Sequence, residues 1–190
     1  LGDVYKRQQL DGLKVNLLDT PGMFDFAGGM IQGISAADCV MITVSGKSGV
    51  RVGTKKAYRA AAGKPRMFVV TKLDDENANF YNVLTDLKST FGPSVCPVVV
   101  PVIVDRKVDS YINLIEMKAY RYDADGKAQE IPMPTSEVSE KLSYRVDGLI
   151  QAFSEAIAET DETLFEKFFS GEEFTQKERC LLYTSDAADE

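Results

Sequence analysis

Three short apolar runs, separated by helix-forming segments, limit the folds open to this chain more than any other feature. Residues 13–18, 39–45 and 66–71 read "LKVNLL", "CVMITVS" and "RMFVVT". A continuous apolar run predicts a strand buried on both faces, whereas alternation predicts one exposed face. Helix-forming segments at 30–37 and 52–65 lie between the runs, which predicts parallel strands joined by right-handed helical crossovers. We therefore expect a doubly wound α/β sheet in the first half of the chain.

The pattern changes after a predicted helix at 79–92, which Gly92 closes. Residues 95–104 and 111–122 are strand-like, and "DADG" at 123–126 predicts a hairpin turn before a strand that ends at Ile131. The second half is therefore expected to be an α+β unit rather than a continuation of the parallel sheet.

Two amphipathic helices are predicted to follow. Ser136 is the expected N-cap of the first, with Glu140 shortly after it. Its apolar residues recur at three- and four-residue steps, which places them on one face: Val138, Leu142, Val146, Leu149, Ile150, Phe153 and Ile157. The second helix is short, carries apolar residues from Leu164 to Phe169, and ends at Gly171.

The composition excludes several classes of function. A formal net charge of -7 argues against sequence-independent binding of nucleic acid, including DNA, because that mode depends on an excess of Lys and Arg. The chain has 3 cysteines in no paired or metal-ligand spacing and no histidine, so we expect neither a disulfide framework nor a His-based metal or catalytic site. No apolar run approaches the roughly 20 residues that span a bilayer. We expect a soluble protein of a reduced, cytoplasmic compartment, without membrane contact.

Asp19-Thr20-Pro21-Gly22 ends the first apolar run, and open α/β sheets bind their ligands at the carboxyl ends of the strands. In phosphate switches such an Asp holds magnesium, directly or through water, and such a Gly lends a backbone N–H to the terminal phosphate. The alternative is a plain turn, which Asp-x-Pro-Gly also forms.

Thr71-Lys72-Leu73-Asp74 ends the third run, on the edge of the predicted sheet where the first motif is also expected. The Asp74 carboxylate is suited to accept hydrogen bonds from the N1 and N2 donors of guanine, whereas adenine offers no matching pair. The methylene stem of Lys72 is suited to lie along the base. The alternative is a polar end to the strand with no ligand.

Two further polar stretches look like sites but are interpreted otherwise. "SGKSG" at 45–49 resembles a phosphate loop, but that motif needs glycine at position 41, where Met41 stands, so we interpret it as a strand-to-helix connection. Asp75 and Glu76 are interpreted as a solvated helix start rather than a metal pair.

The stretches "NLLDTPGMFDF", "AADCVMITVSGKSGV", "PRMFVVTKLDDENANFY", "IEMKAYRYDADG" and "AETDETLFEKFFSGEEFT" together resemble the GTP-binding domain of elongation factor G, in the translational GTPase family. The resemblance implies a partial P-loop GTPase domain at 9–93, an α/β fold with a parallel sheet and helices on both faces. It also implies that 94–179 is the α+β subdomain inserted in that domain. GTP or GDP and magnesium are the implied ligands.

The same resemblance assigns the site residues. It places Asp19 at the magnesium position, Thr20 and Gly22 at the phosphate, and Thr71, Lys72 and Asp74 at the guanine. Thr71 departs from the family's usual Asn, which braces the phosphate loop, and a hydroxyl has only part of the hydrogen-bonding capacity of an amide.

Met23 departs from the family at the catalytic position, where histidine usually orients the attacking water. A thioether is a weak acceptor with no proton to donate, so we expect weakened or altered hydrolysis. The alternative is that Met23 only packs beside Phe24 and Phe26 and that hydrolysis proceeds without it.

Both ends of the chain read differently from the middle. "LGDVYKRQ" at 1–8 and "CLLYTSDAADE" at 180–190 resemble translated sequencing adapters, so we interpret both as non-native tails. The phosphate loop and first switch of the family are then expected before residue 9 of the natural protein. On this interpretation residues 9–179 alone should bind GTP poorly or not at all.

By resemblance the whole protein acts as a monomer on the ribosome in translocation, and its partners include the stalk protein and ribosomal RNA near the GTPase centre. Two alternatives stay open: a GTP-binding paralogue with little hydrolysis that regulates or protects the ribosome, and a GTP-binding protein outside translation.

Overall fold

The computed structural model describes residues 4–10, 12–92, 94–105, 107–134, 137–139, 144–159 and 161–180. The chain divides into two compact units, which are described separately. The first unit comprises residues 1–44 and 51–69, and the second unit comprises residues 45–50 and 70–190. Within the described residues, no helix is both long enough and apolar enough to cross a membrane.

The first unit contains strands, helices and the connections between them. Its strands are β1 (Val4–Leu10), β2 (Leu13–Asp19), β3 (Val40–Ser45) and β4 (Arg66–Thr71), and the last residues of β3 and β4 fall in the second unit. Its helices are the 3-10 helix Phe24–Phe26, α1 (Ala27–Ala36) and α2 (Val52–Ala60). β3 and β4 are hydrogen-bonded neighbours in a parallel pair joined by α2, as the sequence predicts for a strand–helix–strand unit.

The end of α2 follows from local sequence. Ala61 to Lys64 form a turn after the helix, and Gly63 adopts φ +72°, a conformation that costs glycine little. Pro65 follows and cannot continue a helix. The predicted helix is therefore confirmed, with an end slightly earlier than Gly63.

The expectation that β2 is buried within the parallel sheet is wrong for this structure. Among the described residues β2 pairs with β1 in an antiparallel hairpin of two strands, and Leu13 is 70% exposed. A strand is buried only when other elements cover its faces, and a two-stranded hairpin leaves them open. The apolar run was therefore a correct signal for a strand, but its burial depends on neighbours that the described residues do not supply.

The second unit is an α+β assembly. In chain order its elements are α3 (Phe80–Phe91), β5 (Val99–Val104), β6 (Lys107–Asn113), β7 (Lys118–Tyr122), β8 (Ala128–Ile131), β9 (Glu137–Ser139), β10 (Tyr144–Arg145), α4 (Val146–Ala158), α5 (Glu162–Phe169) and α6 (Gln176–Cys180). β5 to β8 form one antiparallel sheet in sequence order, and β9 pairs with β10.

One hydrophobic core joins α3 to the antiparallel sheet and the later helices. Its most buried members include Tyr81 from α3, Val100 and Ile112 from the sheet, and Phe153 and Ile157 from α4. The Tyr81 hydroxyl donates a hydrogen bond of 2.7 Å to the Pro101 carbonyl within this core. α3 therefore packs with the α+β unit, while the predicted domain boundary at residue 93 stays a prediction.

The stretch 111–122, predicted as one strand-like run, is two strands with a tight turn between them. The Asn113 side-chain oxygen accepts hydrogen bonds from the backbone N–H groups of Ile115 (3.0 Å) and Glu116 (3.2 Å). Met117 closes the turn in the left-handed region at φ 55°. Sequence inspection missed this turn because it contains neither glycine nor proline. The hairpin turn predicted at 123–126 is confirmed between β7 and β8.

The long amphipathic helix is shorter than predicted. α4 begins at Val146, and Val138 lies in β9, while the predicted N-cap Ser136, Glu140 and Leu142 lie outside the described residues. β9 pairs with β10 and lies beside β5. Pairing with β10 therefore makes the segment around Val138 a strand, although its apolar spacing also suits a helix. The second predicted helix is confirmed as α5, with Asp161 as its N-cap.

Candidate functional site

The Asp-Thr-Pro-Gly motif lies in the first unit, where a strand passes into a helix. Asp19 is the last residue of β2 and is exposed, and the three residues after it have no regular structure. Met23 has extended backbone (φ -81°, ψ 145°) and its carbonyl accepts the Phe26 N–H at 3.0 Å. The motif is therefore an open turn held at one end by the strand and at the other by the 3-10 helix.

Two glycines near this turn have different physical roles. A side chain at Gly22 would meet no heavy atom of the described residues within 4 Å, so these residues leave the space beside Gly22 open. A side chain at Gly33 would overlap the Thr20 methyl group, because α1 passes close to the motif. Gly33 is a residue that sequence inspection missed, and only the close approach of the helix reveals it.

The Met23 side chain lies at the surface. It is 60% exposed, and its neighbours Phe24 and Phe26 are exposed as well. The Lys56 ammonium lies 4.8 Å from the centre of the Phe24 ring, a cation–π contact that joins α2 to the 3-10 helix. The segment after Asp19 thus presents an exposed thioether and two exposed rings at the surface of the first unit.

The Thr71–Asp74 motif lies in the second unit at the end of β4. Leu73 points inward and packs against the core of this unit, whereas Lys72 and Asp74 are exposed. Lys72 adopts φ 58°, a conformation that is uncommon for a residue with a side chain. The partly buried leucine anchors the turn to the core, and the two polar residues that flank it are displayed to solvent.

The residues that follow fix the turn to its surroundings. The Asp75 carboxylate accepts the Asn77 N–H at 2.9 Å, and the Lys47 ammonium lies 3.1 Å from its other oxygen. The Asn77 N–H and then Lys47 hold the pKa of Asp75 below its usual value, so this carboxylate is charged at neutral pH. Asn79 caps α3, because its side-chain oxygen accepts the Asn82 N–H at 3.0 Å.

The structure brings Thr71, Lys72 and Asp74 together on one turn, and Asp19, Thr20, Gly22 and Met23 together on another. Across the described ranges, no three His, Cys, Asp or Glu side chains converge as a metal site. A single carboxylate such as Asp19 nevertheless suits magnesium at a nucleotide, where phosphate and water supply most of the ligands.

Comparison with known proteins gives consistent relatives. Residues 6–176 match the family described as "Elongation factor Tu GTP binding domain". The chain is 35% identical over 164 residues to an "Elongation factor G-like protein" of Thermotoga maritima, covering 85% of this chain and 22% of that protein. A protein of the same description from Mycobacterium tuberculosis (strain CDC 1551 / Oshkosh) is 36% identical over 164 residues, with the same coverage of 85% and 22%.

A crystal structure of a Thermus thermophilus protein superposes on this chain with a TM-score of 0.80 at 37% sequence identity. The match covers 95% of this chain and 26% of that protein. The chain thus spans 22% of the length of the curated relatives named above. The family match extends over most of the chain, which also has the α/β fold and both polar turns. The chain therefore belongs to the translational GTPase family, with an elongation factor Tu-type GTP-binding domain and relatives named elongation factor G-like proteins.

Proposed function

We propose that the protein containing this chain binds GTP and GDP with magnesium and acts on the ribosome during translation elongation. The observation that carries the proposal is the Thr71–Asp74 turn, in which the partly buried Leu73 packs against the core while Lys72 and Asp74 are displayed to solvent. A carboxylate displayed in this way suits the paired N–H donors of guanine. Family membership supports a guanine nucleotide as the ligand.

The roles proposed for the other turn follow from its chemistry. Asp19 would hold magnesium, which when bound neutralises charge on the phosphates. The Gly22 backbone N–H would donate to the terminal phosphate, and the open space beside Gly22 favours close approach of a ligand to the backbone. Thr20 would contribute polar contacts to the same phosphate while its methyl group faces α1.

A second candidate function, GTP binding with little hydrolysis, is favoured by Met23. Its exposed thioether has no proton to donate and accepts hydrogen bonds only weakly, so it is poorly suited to orient water. Such a protein would stay GTP-bound on the ribosome for longer than a translocase and would act as a regulator or protection factor.

Ribosome-stimulated GTP hydrolysis by the full-length protein tests both functions. We expect the native protein to hydrolyse GTP slowly, and Met23→His to raise the rate roughly 10- to 100-fold, because a positioned proton-transfer group contributes about 10²–10⁴-fold. The matched control is Met23→Leu, which keeps the apolar volume and should leave the rate unchanged.

Two results would contradict these proposals. Absence of GTP and GDP binding by the full-length protein would remove both functions. If the native protein hydrolyses GTP fast and Met23→His leaves that rate unchanged, the function is translocation, and the second candidate function, GTP binding with little hydrolysis, is contradicted. Further proposals from the family are a monomeric state, a cytoplasmic location, and the stalk protein and ribosomal RNA as partners.

A further inference from the structure

Two polar stretches that the sequence motifs leave without a role meet beside the proposed guanine site. The Ser45–Gly49 turn begins at the last residue of β3, and Asp75–Asn79 connects the Thr71–Asp74 motif to α3. Both belong to the second unit. Their contacts were not visible in the sequence because about 30 residues of chain separate them.

The backbone contacts join the turn to both ends of the motif. The Gly46 N–H donates to the Thr71 carbonyl at 2.7 Å, and the Gly46 carbonyl accepts the Asn79 N–H at 2.9 Å. Leu73 also lies close to Gly46, since a side chain added there would approach the Leu73 methyl group at 2.8 Å. Gly46 is therefore held between the end of β4 and the start of α3.

A single ion pair provides the side-chain contact. Lys47 and Asp75 approach to 3.1 Å, with their side chains 52% and 33% exposed. Asp75 directly follows Asp74, the residue proposed to accept the guanine donors. The ion pair therefore fixes the peptide unit next to Asp74 and compensates the second of two adjacent negative charges.

We propose that Lys47 is a positioning residue for guanine recognition: its ion pair with Asp75 holds the Thr71–Asp74 turn so that Asp74 meets both N–H donors of the base. This inference rests on the proposed GTP binding. It gives the "SGKSG" stretch a role on the base side of the nucleotide instead of the phosphate side.

Charge reversal and charge exchange in the full-length protein test this role. The variants are Lys47→Glu, Asp75→Lys and the double exchange, and the measurement is the affinity for GDP and for inosine diphosphate, whose base lacks the 2-amino group. We expect each single reversal to weaken GDP binding about three- to tenfold, since exposed ion pairs are individually modest. The GDP preference over inosine diphosphate should fall too, because a displaced Asp74 loses its bond to the 2-amino group.

Exchange of both charges should restore GDP affinity to within about twofold and restore the preference. A purely structural role would lower the affinities for both nucleotides by the same factor and would leave their ratio unchanged. The matched control is Lys55→Glu, the same charge change at an exposed lysine on α2, which should alter neither affinity. Lys47→Met removes the pair without repulsion, and its effect should diminish at high salt.

The outcomes separate this inference from the function on which it rests. If the native protein binds GDP but the reversals leave its affinity and preference unchanged, or the exchange fails to restore them, the positioning role is overturned. If the native protein binds no GDP, both the function and the positioning role are overturned. If Lys47→Glu lowers the melting temperature strongly, the affinities of Lys47→Met for GDP and inosine diphosphate distinguish the positioning role from a purely structural one.

Discussion

Lys64 caps the C-terminal end of α1, although it lies far from that helix in the sequence. Its ammonium donates to the carbonyl groups of Ile34 (2.8 Å), Ser35 (2.9 Å) and Ala37 (2.6 Å). The last carbonyl groups of a helix have no partner within the helix and carry partial negative charge. A single cation therefore contacts three carbonyl groups at this end of the helix, of which that of Ile34 also accepts the Ala37 N–H at 3.3 Å.

We predict that Lys64→Met lowers the free energy of unfolding by about 1–2 kcal/mol, because the charged hydrogen bonds are lost while the side chain keeps its apolar length. Urea titration followed by circular dichroism is the measurement, with Lys55→Met as a control that should change stability little. Equal stability of the two variants would mean that water replaces the ammonium at no cost.

At the scale of secondary structure, α6 is held by a capping box and one ion pair. The Glu178 carboxylate accepts the Thr175 N–H at 2.7 Å, and the Thr175 hydroxyl accepts the Glu178 N–H at 3.3 Å. Lys167 on α5 contacts the same carboxylate at 2.9 Å. The Thr175 N–H, Lys167 and the Thr175 hydroxyl together lower the pKa of Glu178 to about 2.

This pKa predicts a pH dependence with a definite sign. The folded pKa lies below the ordinary value of 4.5, so Glu178 stabilises the fold above about pH 4.5 and loses that contribution as pH falls towards 2. We predict that Glu178→Gln is less stable than the native chain at pH 7 and that the difference disappears near pH 2. Urea unfolding at several pH values measures this, and a difference that grows on acidification would contradict the assignment.

At the scale of the whole molecule, the two units differ in how completely their large apolar side chains are buried. In the second unit the core cluster runs from α3 through the antiparallel sheet to the later helices. In the first unit several large apolar side chains are exposed, among them Leu13, Ile31 and Val52. The second unit therefore has the more complete core of its own.

We predict that residues 70–179 unfold cooperatively as an isolated fragment, whereas residues 94–179 do not. Removing α3 exposes the partners of Phe80, Tyr81 and Leu84. Each such side chain contributes about 1.5–3 kcal/mol, and their sum of roughly 5–9 kcal/mol approaches the total stability of an ordinary domain. Calorimetry of both fragments is the measurement. A cooperative transition in the shorter fragment would support the domain boundary predicted at residue 93.

The sequence by itself determined what depends on near neighbours. Continuous apolar runs located β2, β3 and β4, helix-forming composition located α1 and α2, and Asp-Gly chemistry located the β7–β8 turn. These features are local, because propensity, capping and turn formation act over a few residues. The predicted site residues likewise come from short motifs, and their roles stay predictions.

Only the tertiary structure decided what depends on distant partners. The burial of β2, the strand conformation of Val138 and the start of α4 at Val146 depend on which elements pack against them, and periodicity does not encode that. The Lys47–Asp75 pair and the approach of Gly33 to Thr20 join residues far apart in the chain. Such contacts form only when folding brings separate elements together, so no local sequence pattern predicts them.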